Sequence, residues 1–210
     1  MKDQQNLSRT FKLTEFEITY DQLESKYQRK FSKETLAEVN EILKIIDSDP
    51  KTAIKRVKIL LDQHPDNPML KNHLSAAYSR AGQFEKAERI AIENYTKCPD
   101  YIFAKTNYAK IYLLHGKINQ IPAIFNHNFN LKTLYPKRKI FHISEFLSFM
   151  EIMSVYFHKI GEQKTAIHYY DLMKRTDKHH PITKQTKKMI KPSLFSKLLR
   201  KISTITRASS

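Results

Sequence analysis

Apolar residues recur at helical spacing through most of the chain. Leu70, Leu74, Ala77 and Ala81 form one stripe, and Phe84, Ala87, Ala91 and Tyr95 form the next. Gly82 separates the two stripes. It suits a residue that must turn left-handed at a helix end, a conformation that strains other L-residues by roughly 1 kcal/mol. Asn67 before Pro68 has the form of an N-cap followed by a first helical residue, and Pro99 halts whatever helix precedes it. Extended along the chain, the pattern predicts helices at 34–47, 50–63, 68–81, 83–97, 101–115, 120–129, 144–160 and 162–176, stacked as antiparallel pairs in an all-α protein.

The pairs repeat. Gly82 to Gly116, Ala53 to Ala87 and Pro65 to Pro99 are each 34 residues apart, and Ala is followed by Pro after 12 residues in both early units. Gly161 follows Gly116 by 45 residues, so an insertion of 11 near 130–141 restores the period. All three glycines lie four residues after an aromatic: Tyr78, Tyr112 and Phe157.

This pattern resembles the tetratricopeptide repeat, a 34-residue helix–turn–helix. The second unit matches through Leu74, Ser75, Tyr78, Gly82, Ala87 and Pro99, and the third through Tyr108, Ala109, Tyr112, Gly116 and Phe125. The fourth unit matches through Met153, Ser154, Phe157, Gly161, Ala166 and Tyr170. Ser75, Ala109 and Ser154 are small where the family prefers glycine, whereas the first unit keeps only Ala53 and Pro65. In the third unit Ile121 replaces the family's alanine, and Pro122 is expected to delay or kink the second helix. The resemblance implies a four-pair helical solenoid over 33–178, flanked by an N-terminal arm and capping helix (1–32) and a basic tail (179–210).

The flanks are read from their own patterns. Phe16, Tyr20, Leu23 and Tyr27 fit one helical stripe with Thr14 as its cap, which would cover the open end of a stack. At the other end, Ser193 precedes Leu194, Phe195, Leu198, Leu199 and Ile202, with Lys197, Arg200 and Lys201 on the remaining sides. A short helix at 193–203 has three readings: a cap on the last repeat, a membrane-surface segment, or a nucleic-acid contact.

Charge sharpens this. The net charge is +16, and it comes from two stretches without Asp or Glu: Tyr101 to Ser144 carries seven bases and Lys178 to Ser210 carries nine. Lys187, Lys188, Lys197, Arg200 and Lys201 are the expected anion or membrane contacts. Aromatics interleave with the first stretch, but Tyr108 and Tyr112 follow the repeat and are assigned to packing between helices. The tip Tyr135 to Lys139 falls in the insertion, where a loop can carry function.

Catalytic chemistry is not indicated. With its three glycines assigned to turns, the chain has no phosphate loop, and it has neither a nucleophile elbow nor an H-E-x-x-H pair. The nine histidines lack convergent partners at ligand spacing, and the lone Cys98 excludes an internal disulfide. No cofactor, metal or small-molecule substrate is expected. The start lacks a signal-peptide core and no apolar run spans a bilayer, so the expected setting is cytoplasmic, with peripheral membrane attachment open.

The resemblance implies a concave groove lined by the first helix of each pair: Asn72, Ala76, Ser79 and Arg80; then Phe103, Thr106 and Lys110; then Glu151, Val155 and His158. Asn72, Asn107 and Arg80 do not reproduce the family's carboxylate clamp. The leading expectation is a non-catalytic adaptor that binds a polar or acidic protein segment in this groove, with positive potential around Arg80 and Lys110. The alternative is a module bound to anionic membrane or nucleic acid through its tail.

Overall fold

The computed structural model describes residues 10–12 and 15–190. The chain opens with two short strands, β1 (Thr10–Lys12) and β2 (Glu17–Thr19). Five helices follow: α1 (Lys33–Ile45), α2 (Pro50–Gln63), α3 (Pro68–Arg80), α4 (Phe84–Lys97) and α5 (Ile102–Leu114). A 3-10 turn (Ile118–Gln120) leads into two one-turn helices, α6 (Ile121–Ile124) and α7 (Leu131–Leu134), and then strand β3 (Ile140–His142). The chain continues as α8 (Ile143–Lys159), α9 (Gln163–Asp177) and α10 (Pro181–Met189). Successive long helices pack on one another, and α5 passes over the short elements to pack on α8.

Caps set the boundaries. Ser32 accepts a bond from the Thr35 amide, Asp49 from Thr52, and Asn67 from both Met69 and Leu70, while Pro50 and Pro68 occupy the first turns of α2 and α3. The three glycines close the pairs identically. Gly82, Gly116 and Gly161 have φ of 72°, 70° and 87°. The amide one residue beyond each glycine donates to the carbonyl of the preceding aromatic: Gln83 to Tyr78 at 2.9 Å, Lys117 to Tyr112 at 2.9 Å and Glu162 to Phe157 at 2.8 Å. The glycine amides bond one residue further on, to Ser79, Leu113 and His158, completing a Schellman turn each time. The four-residue interval from aromatic to glycine is the reach of that turn.

A second contact repeats as well. Ser75 Oγ donates to the Ala87 carbonyl at 2.8 Å, and Ser154 Oγ donates to Ala166 at 2.9 Å. A small residue on the first helix thus meets the backbone of the second, where a larger side chain would force the pair apart. In the third unit Ala109 and Ile121 stand at these positions and the bond is absent.

The helix expected at 120–129 is reduced to α6. Pro122 lacks an amide hydrogen and lies in the first turn of α6 instead of kinking a longer helix. Asn126 and His127 then take φ of 50° and 56°, which ends the helix and drops Phe125 into the core. The buried Lys105 ammonium donates to the Ile124 carbonyl at 3.0 Å, so a cation sits at the C-terminal end of α6.

The N-terminal capping helix is also corrected. Phe16, Ile18 and Tyr20 alternate with polar residues, and Glu17–Thr19 forms a strand between two partners. β1 pairs with it antiparallel, Phe11 opposite Ile18, and β3 pairs with it parallel, Ile18 opposite Phe141. Thr14, its proposed cap, lies outside the described residues. From this sheet the segment runs back towards α1. Tyr20 donates to Asp177 at 2.8 Å, Tyr27 stacks edge-on against Tyr101, and the Tyr27 carbonyl accepts from Asn67 at 2.6 Å.

Two apolar clusters result. One joins α1 to α4 through Val57, Leu70, Leu74 and Ala77; the other surrounds α8 through Ile18, Phe125, Phe141, Phe146 and Met153. Tyr95 and Phe103 touch both clusters. α8 is apolar nearly all round and correspondingly buried. α10 closes this end by packing Thr183, Thr186 and Ile190 towards α8 and α9. The helix expected at 193–203, for which a cap on the last repeat was one of three readings, lies outside the described residues.

Candidate functional site

The face expected to form a groove is open on α3 and largely closed beyond it. Ala76, Ser79 and Arg80 are exposed, and Asn72 is half-buried. Asn72 accepts from Asn107 Nδ2 of α5 at 2.7 Å, so two carboxamides on neighbouring helices share one bond. Phe103 is half-buried and touches both clusters. Thr106 is fully buried, with its hydroxyl on the Phe103 carbonyl at 3.3 Å, and is withdrawn from the candidate surface. Glu151 and Val155 are buried too. His158 is half-buried, and its Nδ1 is 2.7 Å from Gln163 Oε1.

The expected positive potential around Arg80 and Lys110 is not supported. Arg80 is 2.6 Å from Asp47, and Lys110 is 2.7 Å from Glu151. Both carboxylates come from outside the acid-free stretch. Linear charge runs missed this neutralisation because helix packing joins distant segments.

Two further bases of that stretch are held by the protein itself. Lys132 donates to the carbonyls of Pro136 and Arg138, at 2.8 and 2.9 Å. Arg138 grips Glu145 with two bonds, at 2.9 and 2.7 Å, and covers the Phe141 ring. The Tyr135 hydroxyl donates to the Asp100 carbonyl at 3.1 Å, and burial pushes its pKa well above the ordinary tyrosine value. The insertion tip is therefore pinned, with Lys137 and Lys139 its exposed cations. Tyr108 stacks on Tyr95 and shares a hydroxyl bond with Tyr112, which, together with burial, raises the Tyr108 pKa to about 12. These rings pack between helices, as their spacing implied.

One imidazole with a buried ring nitrogen was not singled out from sequence. His73 Nε2 on α3 is buried without a hydrogen-bond partner, and desolvation lowers its pKa to about 4. The native state therefore holds it neutral while the unfolded chain protonates it below about pH 6.5. Its stabilising contribution is present above that pH and is lost as pH falls towards 4, a change of about 3 kcal/mol. His73→Leu is expected to flatten this limb in urea titrations between pH 7 and 4. An unchanged acid limb in the variant would refute the assignment.

A cleft of about 530 Å³ lies where the second helix of the third unit is cut short. Its lining includes Glu15, His127, Asn128, Met150, His168 and Tyr169. The Tyr169 hydroxyl is occupied by the Phe129 carbonyl at 2.8 Å. Among the described residues, no three His, Cys, Asp or Glu side chains converge in a way that could hold a metal ion. None of the described helices is long and apolar enough to cross a membrane.

Of the expected anion contacts, Lys187 and Lys188 are exposed on α10 beside Lys184. Lys197, Arg200 and Lys201 lie outside the described residues. A search of protein-family models finds no match to this chain, and no curated protein matches it either.

Proposed function

We propose that this chain is a tetratricopeptide-like interaction module, a non-catalytic adaptor that receives a polar segment of a partner protein. The repeated Schellman turns and the repeated serine-to-alanine contact support the repeat assignment. The observation carrying the functional reading is the open face of α3, where Ala76, Ser79 and Arg80 are exposed and the paired Asn72 and Asn107 stand half-buried alongside. On α8 the corresponding Glu151 and Val155 are buried and His158 is half-buried, so the proposed receptive face centres on α3 and on α5 around Asn107.

With Arg80 and Lys110 already neutralised, recognition here rests on the carboxamides and on shape more than on an acidic partner. Ala76→Glu combined with Ser79→Glu should fill this face without disturbing the core. Co-purification with quantitative mass spectrometry should recover a stoichiometric partner with the parent protein. The variant should lose at least tenfold of that partner at an unchanged melting temperature. Equal recovery by both proteins would refute the groove.

A further inference from the structure

Six cations without carboxylate partners lie close together in sequence on α9 and α10. Lys174, Arg175 and Lys178 lie in and just after the last turn of α9, and Lys184, Lys187 and Lys188 lie along α10. All six are exposed, and none forms an ion pair among the described residues. The α10 lysines are spaced i, i+3 and i+4, which sets them on one side of the helix. The opposite side, with Thr183, Thr186 and Ile190, is buried.

Acids do little to offset them. Asp177 is occupied by the Tyr20 hydroxyl at 2.8 Å and by the amides of His179 and His180 at 2.9 and 3.0 Å. Asp171 is half-buried on α9, Glu162 precedes that helix, and no acid follows Asp177 in the sequence. The contrast with the first basic stretch is informative. There Lys110 and Arg138 meet Glu151 and Glu145, whereas here the charge faces solvent.

We propose that the α9–α10 surface is a sequence-independent nucleic-acid contact made through phosphates. Two features favour this partner. A membrane-surface helix inserts an apolar face, but the inner face of α10 is already packed on α8 and α9, leaving Met189 as its exposed large apolar residue. An acidic peptide gains little from scattered exposed lysines without an anchoring pocket. A polyphosphate backbone has the charge density to use them, because each neutralised phosphate releases bound counterions.

The test is fluorescence anisotropy of the full chain with a labelled 20-base-pair DNA duplex from 50 to 200 mM salt. Lys184→Glu, Lys187→Glu and Lys188→Glu combined should weaken binding at least tenfold at 50 mM. They should also reduce the slope of log K against log salt by about 2–3, since each phosphate contact contributes about 0.9. Melting temperature should hold, because all three side chains are exposed. Ala76→Glu with Ser79→Glu should leave duplex binding near the parent level, which separates this surface from the groove. Parent-like duplex binding by the triple variant would overturn the proposal. So would a parent protein that sediments with phosphatidylcholine–phosphatidylserine vesicles but does not bind the duplex.

Discussion

Removal of residues 1–22 is expected to lower the melting temperature by about 10 °C or more. Phe16 and Ile18 are buried in the larger cluster, where Phe16 meets Phe141 and Phe146. Each lost apolar side chain removes about 1.5–3 kcal/mol, and in a domain of this size 1 kcal/mol moves the midpoint by about 2–4 °C. Truncation also strips β3 of its strand partner and α9 of the Tyr20–Asp177 bond. Tyr20→Phe, which removes the bond to Asp177, should cost about 1 kcal/mol. Differential scanning calorimetry separates the two effects. A truncated chain that melts with the parent would show that the strand contributes nothing to the core.

The second large effect is expected at Lys110. Its partner Glu151 is 5% exposed while Lys110 itself is 40% exposed, so the pair is buried on one side only. Lys110→Met strands a carboxylate in the interface of α5 and α8. The expected loss is about 2–3 kcal/mol, below the range for a fully buried pair because solvent screens the lysine. Lys110→Met with Glu151→Met should recover most of this loss, since apolar replacement of a buried pair is often neutral or better. Urea denaturation of the two singles and the double gives the coupling directly. Strictly additive singles would mean that the two groups do not interact.

The parts of the fold legible in the sequence are those governed by local chemistry. Asn67, Pro68 and the three glycines mark helix ends because capping and left-handed turns are short-range events. What escaped was decided by contacts between distant segments. Phe16, Tyr20, Leu23 and Tyr27 fit a helical stripe, yet Phe16, Ile18 and Tyr20 also alternate, and pairing with residue 141 settles the choice. α10 was missed because the threonines on its buried face, Thr183 and Thr186, carry no apolar signal. The candidate site differs for the same reason: packing buries Thr106, and the α1–α2 turn and α8 bring Asp47 and Glu151 to Arg80 and Lys110.

The return of the N-terminal segment to β3 and Asp177 also fixes an order of assembly. Stacked helix pairs fold through near neighbours and can fray from either end. Here the Tyr20–Asp177 bond spans 157 residues of sequence. Residues 17–20 therefore cannot complete their docking until β3 and α9 have been made. Their docking joins the last helices to the first, so both ends should unfold together with the middle in one transition. The long closure also slows the final folding step relative to a simple helical array of this length.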